Sequence, residues 1–503
     1  MLSNIPRFTK KYLIIIPRSI NMIDFFKLMK WTTLIFLISY SVLINAEEET
    51  LPELGQASSS AISIASEFKL GRLYMAQLRR SLPGYDDPVT QDYVEHLIYR
   101  LAEYSQLKDR RLEVTLIDLK SVNAFAAPGG VIGINGGLIY QAETEGEFAS
   151  VLAHELAHLS QRHFARRLQR QQDRSLANAL LILASVAVAA ATNPEAILAG
   201  QQIINQQSLA YSRGNEQEAD RVGFTTMVRA GFDPQSMANM FEILQSLSRL
   251  SGSDNFEFLR SHPLTKKRIS DSKIRADEVS GINYRNNIDY DLVKNRSKVH
   301  FTKQPRQAIT QFKQDLRRSK SKRQKISSLY GLALSYSKGG DNLNALDSSR
   351  KALALDKENL LLQMLLVEVH LNAGNNLEAA ALSKSLLEVN PANYPLTVFY
   401  SKILTNNQEF DEAEEVLRKL SLIRNTDPQI WYWLAEIQGL AKNIIGLHQS
   451  RAEYFFLTGS YDLSIKHLRW ALELSGNNFQ LSESIYNRIE RAHQAKEDLK
   501  EFS

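Results

Sequence analysis

Apolar positions along the 503-residue chain fall into two regimes, which meet near residue 300. In the first, residues 62–104 read as helical, with Val94, Leu97, Ile98 and Leu101 three and four apart and Pro88 near the start of their segment. LEVTLI at 112–117 reads as a strand, and APGGVIGINGGL at 127–138 as a glycine-punctuated strand and turn. One long helix is predicted from Glu145 to Gln172, further helices over 195–211 and 216–249, and a loop around Ser261, His262 and Pro263. In the second regime a landmark pattern repeats every 34 residues. Gly340 recurs as Gly374, Ala345 as Ala379 and Ala413, Leu355 as Val389, and Asp356 as Asn390. Helix–turn–helix units of about this length, with glycine at the turn and alanine where helices touch, are tetratricopeptide repeats. Such a unit cannot bury its apolar face alone, so neighbours stack into a solenoid with a concave groove. Gly459, Ser464 and Ala471 repeat the pattern out of phase, after an extra helix around Trp431–Gln438.

Two apolar runs stand apart. Trp31–Ile44 follows Lys27 and Lys30 and precedes Asn45, Ala46 and three glutamates, the layout of a secretory signal cut after Ala46. Residues 1–28 make this leader overlong, and translation from Met22 or Met29 would give an ordinary one. Leu176–Ala191 would extend about 24 Å as a helix, short of the ~30 Å hydrocarbon core, so a buried or interfacial helix is expected. An interfacial helix would allow peripheral membrane association. The basic stretch Lys313–Lys325 reads as a solvated helix or linker. The domain organisation is therefore a leader at 1–46, a first domain at 47–300, a basic linker or helix at 301–325 and a repeat domain at 326–503.

Composition narrows the chemistry. A net charge of +5 is small for this length and argues against a nucleic-acid partner. There is no cysteine, which removes disulfides, thiolate metal sites and thiol nucleophiles, so a metal must be held by His, Asp or Glu. VLAHELAHLSQRH supplies such a set. His154 and His158 are four apart, about 400° of helix rotation, so both imidazoles share a face and can bind one Zn²⁺. Glu155 stands beside them to take a proton from the water that the metal activates. In SRGNEQEADRVG, Glu216 and Asp220 are again four apart on a predicted helix. Glu216 completes a His₂Glu set with one position left open, and Asp220 can fix the tautomer of a ligand imidazole. His163, five residues after His158, is expected to point away from the metal towards the opposite face. The strand carrying Gly129, Gly130 and Gly136 is either an edge on which an extended peptide could add or an ordinary core hairpin.

HELAHLSQRH, SRGNEQEAD and NAFAAPGGVIGINGGLI together resemble the zinc metallopeptidase family that contains the CAAX prenyl protease and the HtpX heat-shock protease. With an export signal and tetratricopeptide repeats, the chain resembles the soluble periplasmic branch of that family. The resemblance covers most of the chain after the leader. It implies a mainly α fold: a zincin-type, α-rich metalloprotease domain with a small β-sheet, followed by an α-solenoid. It implies one zinc per chain at His154, His158 and Glu216, with Glu155 as catalytic acid and base. Unfolded or misassembled outer-membrane β-barrel proteins would be the substrates, and the repeats would dock on the outer-membrane assembly machinery. Members resembling this branch carry a downstream His-Pro that can approach the zinc. His262 is thus either a regulatory ligand that fills the open position or a surface histidine. The competing function is a largely non-proteolytic chaperone or scaffold acting through the repeats.

Overall fold

A computed structural model describes residues 63–170, 212–251, 257–279, 284 and 287–501. The leader, the apolar run 176–191 and the expected helix 195–211 lie outside them. Among the described residues no helix is long and apolar enough to cross a membrane.

The stretch expected to be helical over 62–104 is two helices, α1 (Ile64–Ser81) and α2 (Pro88–Glu103). Between them Gly84 bridges to Ile117, and Asp87 caps α2 by accepting from the Val89 N–H at 3.1 Å. Three short strands follow: β1 (Glu113–Ile117), β2 (Ala124–Ala127) and β3 (Val131–Asn135). Their order is β1-β3-β2, with β3 parallel to β1 and antiparallel to β2. All five residues of β3 are buried, so the glycine-punctuated strand is the middle of the sheet and β2 is an outer strand. Gly133 has to be glycine, because a Cβ there would meet the Phe125 ring at 2.2 Å.

The GGL segment after β3 is helix α3 (Gly136–Gln141) rather than a turn. Helix α4 (Glu145–Ser160) starts with a reciprocal cap between Thr144 and Glu147, and every residue from Glu145 to His158 is buried. Its Phe148, Leu152 and Leu156 pack with Ile132 and Ile134 of the sheet and Ile98 of α2. Each such side chain contributes about 1.5–3 kcal/mol on burial. The long helix expected to reach Gln172 breaks at Arg162, where φ is +49°, and α5 (His163–Arg170) sets off in a new direction. Likewise 216–249 is divided at Gly231, φ +87°, into α6 (Arg213–Arg229) and α7 (Gln235–Ser251). Next come α8 (Glu257–Ser261), α9 (Lys266–Asp277) and α10 (Ile288–Phe301).

Helices α11 (Pro305–Arg318) and α12 (Lys322–Lys338) share the basic stretch, and Ser321 caps α12. Leu292 and Val299 of α10 pack into the same core as Phe312 and Tyr330. The repeat core therefore begins before residue 300. The solenoid continues through α13 (Asn342–Leu355), α14 (Leu360–Asn372), α15 (Asn376–Val389), α16 (Tyr394–Asn406) and α17 (Phe410–Ile423). It ends with α18 (Pro428–Leu440), α19 (Ile444–Leu457), α20 (Tyr461–Leu474) and α21 (Phe479–Glu501).

Helices α13, α15, α17 and α19 start 34 residues apart, so the helix at Trp431–Gln438 is a regular member of the array, in phase with it. The residue two before each start has φ of +75°, +77°, +65° and +62°: Gly340, Gly374, Gln408 and Lys442. Only glycine takes this conformation without steric cost, and its replacement in the later turns hides the period. Ion-paired bridges fasten the repeats to the first half, and two of them are built on arginines. Arg296 of α10 reaches Asp87 at 2.7 Å and Glu368 at 2.8 Å, and Arg424 binds both oxygens of Glu95 at 2.7 Å.

Candidate metal centre

Helices α4 and α6 lie against one another, with Ala219 and Val222 packed on Ala157. A Cβ on Gly223 would be 3.0 Å from the Ala153–His154 backbone, a close approach that brings the two four-residue pairs face to face. His154, His158 and Glu216 offer ligand atoms that, with one from His262, all lie within 4.8 Å of one another. The distances are 3.0 Å between the Nε2 atoms of His154 and His158, and 3.5 Å from each of them to a Glu216 oxygen. His262 is carried in by the turn after α8, its ring stacked on Phe258 with centroids 4.9 Å apart. Its Nδ1 is 3.2 Å from Glu216 and 3.3 Å from His154 Nε2, and its Nε2 is 3.4 Å from Glu155. It is 1% exposed, so it is part of the cluster and not a surface residue.

Asp220 stands where the sequence places it, its Oδ1 3.0 Å from His154 Nδ1. The residue that positions it was not anticipated. Arg268 of α9 grips both Asp220 oxygens at 2.7 Å, and its NH1 lies 2.8 Å from Glu216. No local period marks Arg268 in TKKRIS, where it is one of three consecutive cations. His163 corrects an expectation. Because the helix turns at Arg162, its ring comes back on the ligand side, Nδ1 2.8 Å from His158 Nδ1 and Nε2 3.1 Å from Glu218.

Ring protons follow from these partners. Carboxylates only accept, so His154 donates from Nδ1 to Asp220 and His163 donates from Nε2 to Glu218. Burial pushes His163 down to about 4, so its Nδ1 is a bare acceptor and His158 donates to it from Nδ1. That leaves the Nε2 lone pairs of His154 and His158 directed towards each other at 3.0 Å, beside the Glu216 carboxylate. Such an arrangement repels itself unless a cation lies between. Burial disfavours charge on His154, yet its contacts with Asp220 and Glu216 outweigh this and raise it to about 9. The cluster therefore holds either a proton or a metal cation at this point, and the donor set fits a metal. Burial also raises Glu155, whereas His262 and His154 outweigh burial at Glu216 and hold it well below the usual carboxylate range.

Gly129 and Gly130 form the β2–β3 turn with φ of +74° and +76°, Gly129 packed on the Glu67–Phe68 backbone, while Gly136 packs on Phe301. None lies on the free sheet edge. The strand next to the cluster is β2, whose Ala126 N–H faces the Glu155 carboxylate. A cavity of about 110 Å³ opens there, lined by Ala126, Ala127, Gly129, Gly130, His158 and Phe164, so two of the three glycines border it.

This arrangement is that of a metalloprotease, and comparison with known proteins agrees: residues 88–276 match the model of peptidase family M48. Residues 373–437 match that of the tetratricopeptide repeat. The chain is 29% identical over 468 residues to the beta-barrel assembly-enhancing protease of Escherichia coli (strain K12), covering 90% of this chain and 93% of the relative. It is 35% identical over 250 residues to a putative beta-barrel assembly-enhancing protease of Vibrio cholerae, covering 49% and 51%. The mitochondrial metalloendopeptidase OMA1 of Schizosaccharomyces pombe is 30% identical over 190 residues, 38% of this chain and 53% of that one.

Proposed function

We propose that this metalloprotease is a zinc endopeptidase of the periplasm that degrades misassembled outer-membrane β-barrel proteins and assists their assembly. The observation that carries the zinc reading is the pair of imidazole lone pairs converging at 3.0 Å beside Glu216. His154, His158 and Glu216 would hold the ion, which when bound supplies a Lewis acid to water and to the scissile carbonyl. Glu155, raised by burial, takes the proton of the attacking water and later returns it to the leaving amine. Asp220, held by Arg268, keeps the His154 tautomer that leaves Nε2 free to bind. An extended peptide would add to the free edge of β2, with one apolar side chain in the 110 Å³ cavity. Unfolded barrel strands suit such an edge because their backbone groups are unpaired.

His262 is the regulatory element of this reading. With it the site has four protein donors, the closed form, whereas catalysis needs one position open. His154, Glu155, His158, Glu216 and His262 are at most 3% exposed, so the resting enzyme is latent until His262 withdraws. The same closure favours a second reading, in which the chain acts mainly as a chaperone or scaffold. The signal-like pattern ending at Ala46 supports export, and the names of the E. coli and V. cholerae relatives support β-barrel substrates. The repeats supply a surface for the outer-membrane assembly machinery.

Metal analysis of the purified protein, paired with casein digestion with and without chelator, tests the core of the proposal. One zinc per chain and chelator-sensitive cleavage are expected. A metal-free protein, or cleavage indifferent to chelator, overturns it. Cleavage absent although zinc is bound, with unfolded protein still captured, favours the chaperone reading.

A further inference from the structure

A cavity of about 760 Å³ lies away from the metal cluster, between α1 of the peptidase half and α17, α19 and α21 of the repeats. Its size is within the ~300–1,000 Å³ usual for ligand pockets. The apolar part of the wall includes Phe68, Leu73, Trp431, Phe456 and Leu457. The charged part is unbalanced in a repeated way. On one side Arg72 and Arg79, seven residues apart on α1, share the single carboxylate of Glu113. Opposite, Arg488 and Arg491 of α21 share that of Glu453, at 3.0 and 2.5 Å. Lys69 and Asp498 make a balanced pair at 2.8 Å. Among the described lining residues the two arginine pairs therefore outnumber their carboxylates by two, with Asp109 near Arg72 and Asp427 and Glu95 near Arg79 standing outside the lining.

We infer that this cavity is a binding site for an extended polypeptide segment that carries carboxylates between apolar side chains. Charge complementarity selects the anion, since the arginines of the lining outnumber its carboxylates and a hydrogen bond from guanidinium to carboxylate is stronger than a neutral one. The aromatic wall selects the apolar flanks, and Arg491 over Phe456 at 3.9 Å joins the two features. Burial is also the main reason that Arg72 and Arg79 are lowered to about 10, against the opposite pull of Asp109 on Arg72 and of Asp427 and Glu95 on Arg79. The site uses none of the metal-binding side chains and stands whether or not the zinc reading does. It would hold one stretch of a bound chain at the junction of the two halves.

The experiment uses the full chain as the Glu155→Gln variant with chelator present, so that nothing is digested. A fluorescein-labelled octapeptide of alternating leucine and glutamate is titrated by anisotropy beside twins with glutamine or lysine in place of glutamate. The glutamate peptide is expected to bind at least tenfold tighter than the glutamine twin, with the lysine twin weakest and the difference shrinking in high salt. Arg488→Gln/Arg491→Gln should weaken binding at least tenfold, and Arg491→Lys should stay within about twofold of the parent. Should the double variant unfold, Arg491→Gln alone, at a half-exposed position, is expected to weaken binding threefold or more. Equal affinity for the glutamate and glutamine peptides overturns the inference, as does unchanged binding by folded arginine variants. Capture of phosphatidylglycerol vesicles, lost in the same variants while no peptide binds, overturns it in favour of a lipid. Casein cleavage by the parent is scored separately and bears only on the protease reading.

Discussion

Around the metal cluster, His154, Glu155, His158, Glu216 and His262 are at most 3% exposed, whereas typical charge pairs of the repeats lie in solvent. Lys351 and Asp347 are 62% and 56% exposed, and Arg418 and Glu415 are 50% and 44%. The cost of burying ions is met at the centre by interlocked partners: Asp220 is held by Arg268, His154 by Asp220, and His158 by His163, itself anchored on Glu218. Removing one member of such a set strands the others without water. In the repeats a lost pair is replaced by solvent at a cost of about 0–1 kcal/mol. The first half is organised for chemistry and tolerates little change. The second is organised as a surface, and its stability is spread over many interchangeable helix contacts.

The largest difference between the halves should appear in catalysis. Glu155→Gln is expected to lower kcat by about 10²–10⁴-fold while zinc content stays at the parental value, and Glu415→Gln should leave both unchanged. A Glu155→Gln enzyme retaining a tenth of parental activity would remove this carboxylate from the mechanism. In stability, Arg268→Ala should cost about 3–5 kcal/mol by chemical denaturation, because Asp220 and Glu216 lose their buried cation. Lys351→Ala should cost less than about 0.5 kcal/mol. Comparable losses would abolish the contrast.

Protonation sharpens the same comparison. With His154 raised to about 9, a metal must displace its proton anywhere below that pH. Apparent zinc affinity should therefore rise about tenfold per pH unit between roughly pH 6 and 8, measured by chelator competition; a flat profile contradicts a protonated His154. A smaller effect is expected at the latch. His262→Ala should raise casein cleavage several-fold by vacating the fourth donor position, and unchanged or lower cleavage would make His262 a packing residue. The smallest effects belong to the solenoid. Gln408→Gly and Lys442→Gly should each stabilise by about 1 kcal/mol, read as a rise in Tm, because they relieve a left-handed backbone at +65° and +62°.

Much of the candidate metal cluster was legible because its residues come as i and i+4 pairs. Helix geometry alone puts His154 with His158 and Glu216 with Asp220, and the pairing of the two helices is the only further step. Arg268 was not legible, since it reaches Asp220 across 48 residues of sequence and nothing in its neighbourhood is periodic. His163 was misplaced by extending one helix through Arg162, where the backbone takes φ +49°. The sheet was legible only as a pair of alternatives, an edge or a core hairpin. The order β1-β3-β2 puts the glycine strand in the middle, and the inconspicuous AFAA of β2 borders the cluster.

By itself the sequence determined the helical class and the paired residues of the candidate site, which depend on spacings within about one or two turns of helix, and the 34-residue period, which is the length of one two-helix unit. Tertiary structure alone decided what faces what across long separations. It delivered His262 to Glu216, set Arg268 on Asp220, and enclosed between α1 and α21 a cavity whose two arginine pairs lie more than 400 residues apart. The physical reason is that periodicity records which face of an element is buried, whereas the partner of that face is chosen by packing the elements together.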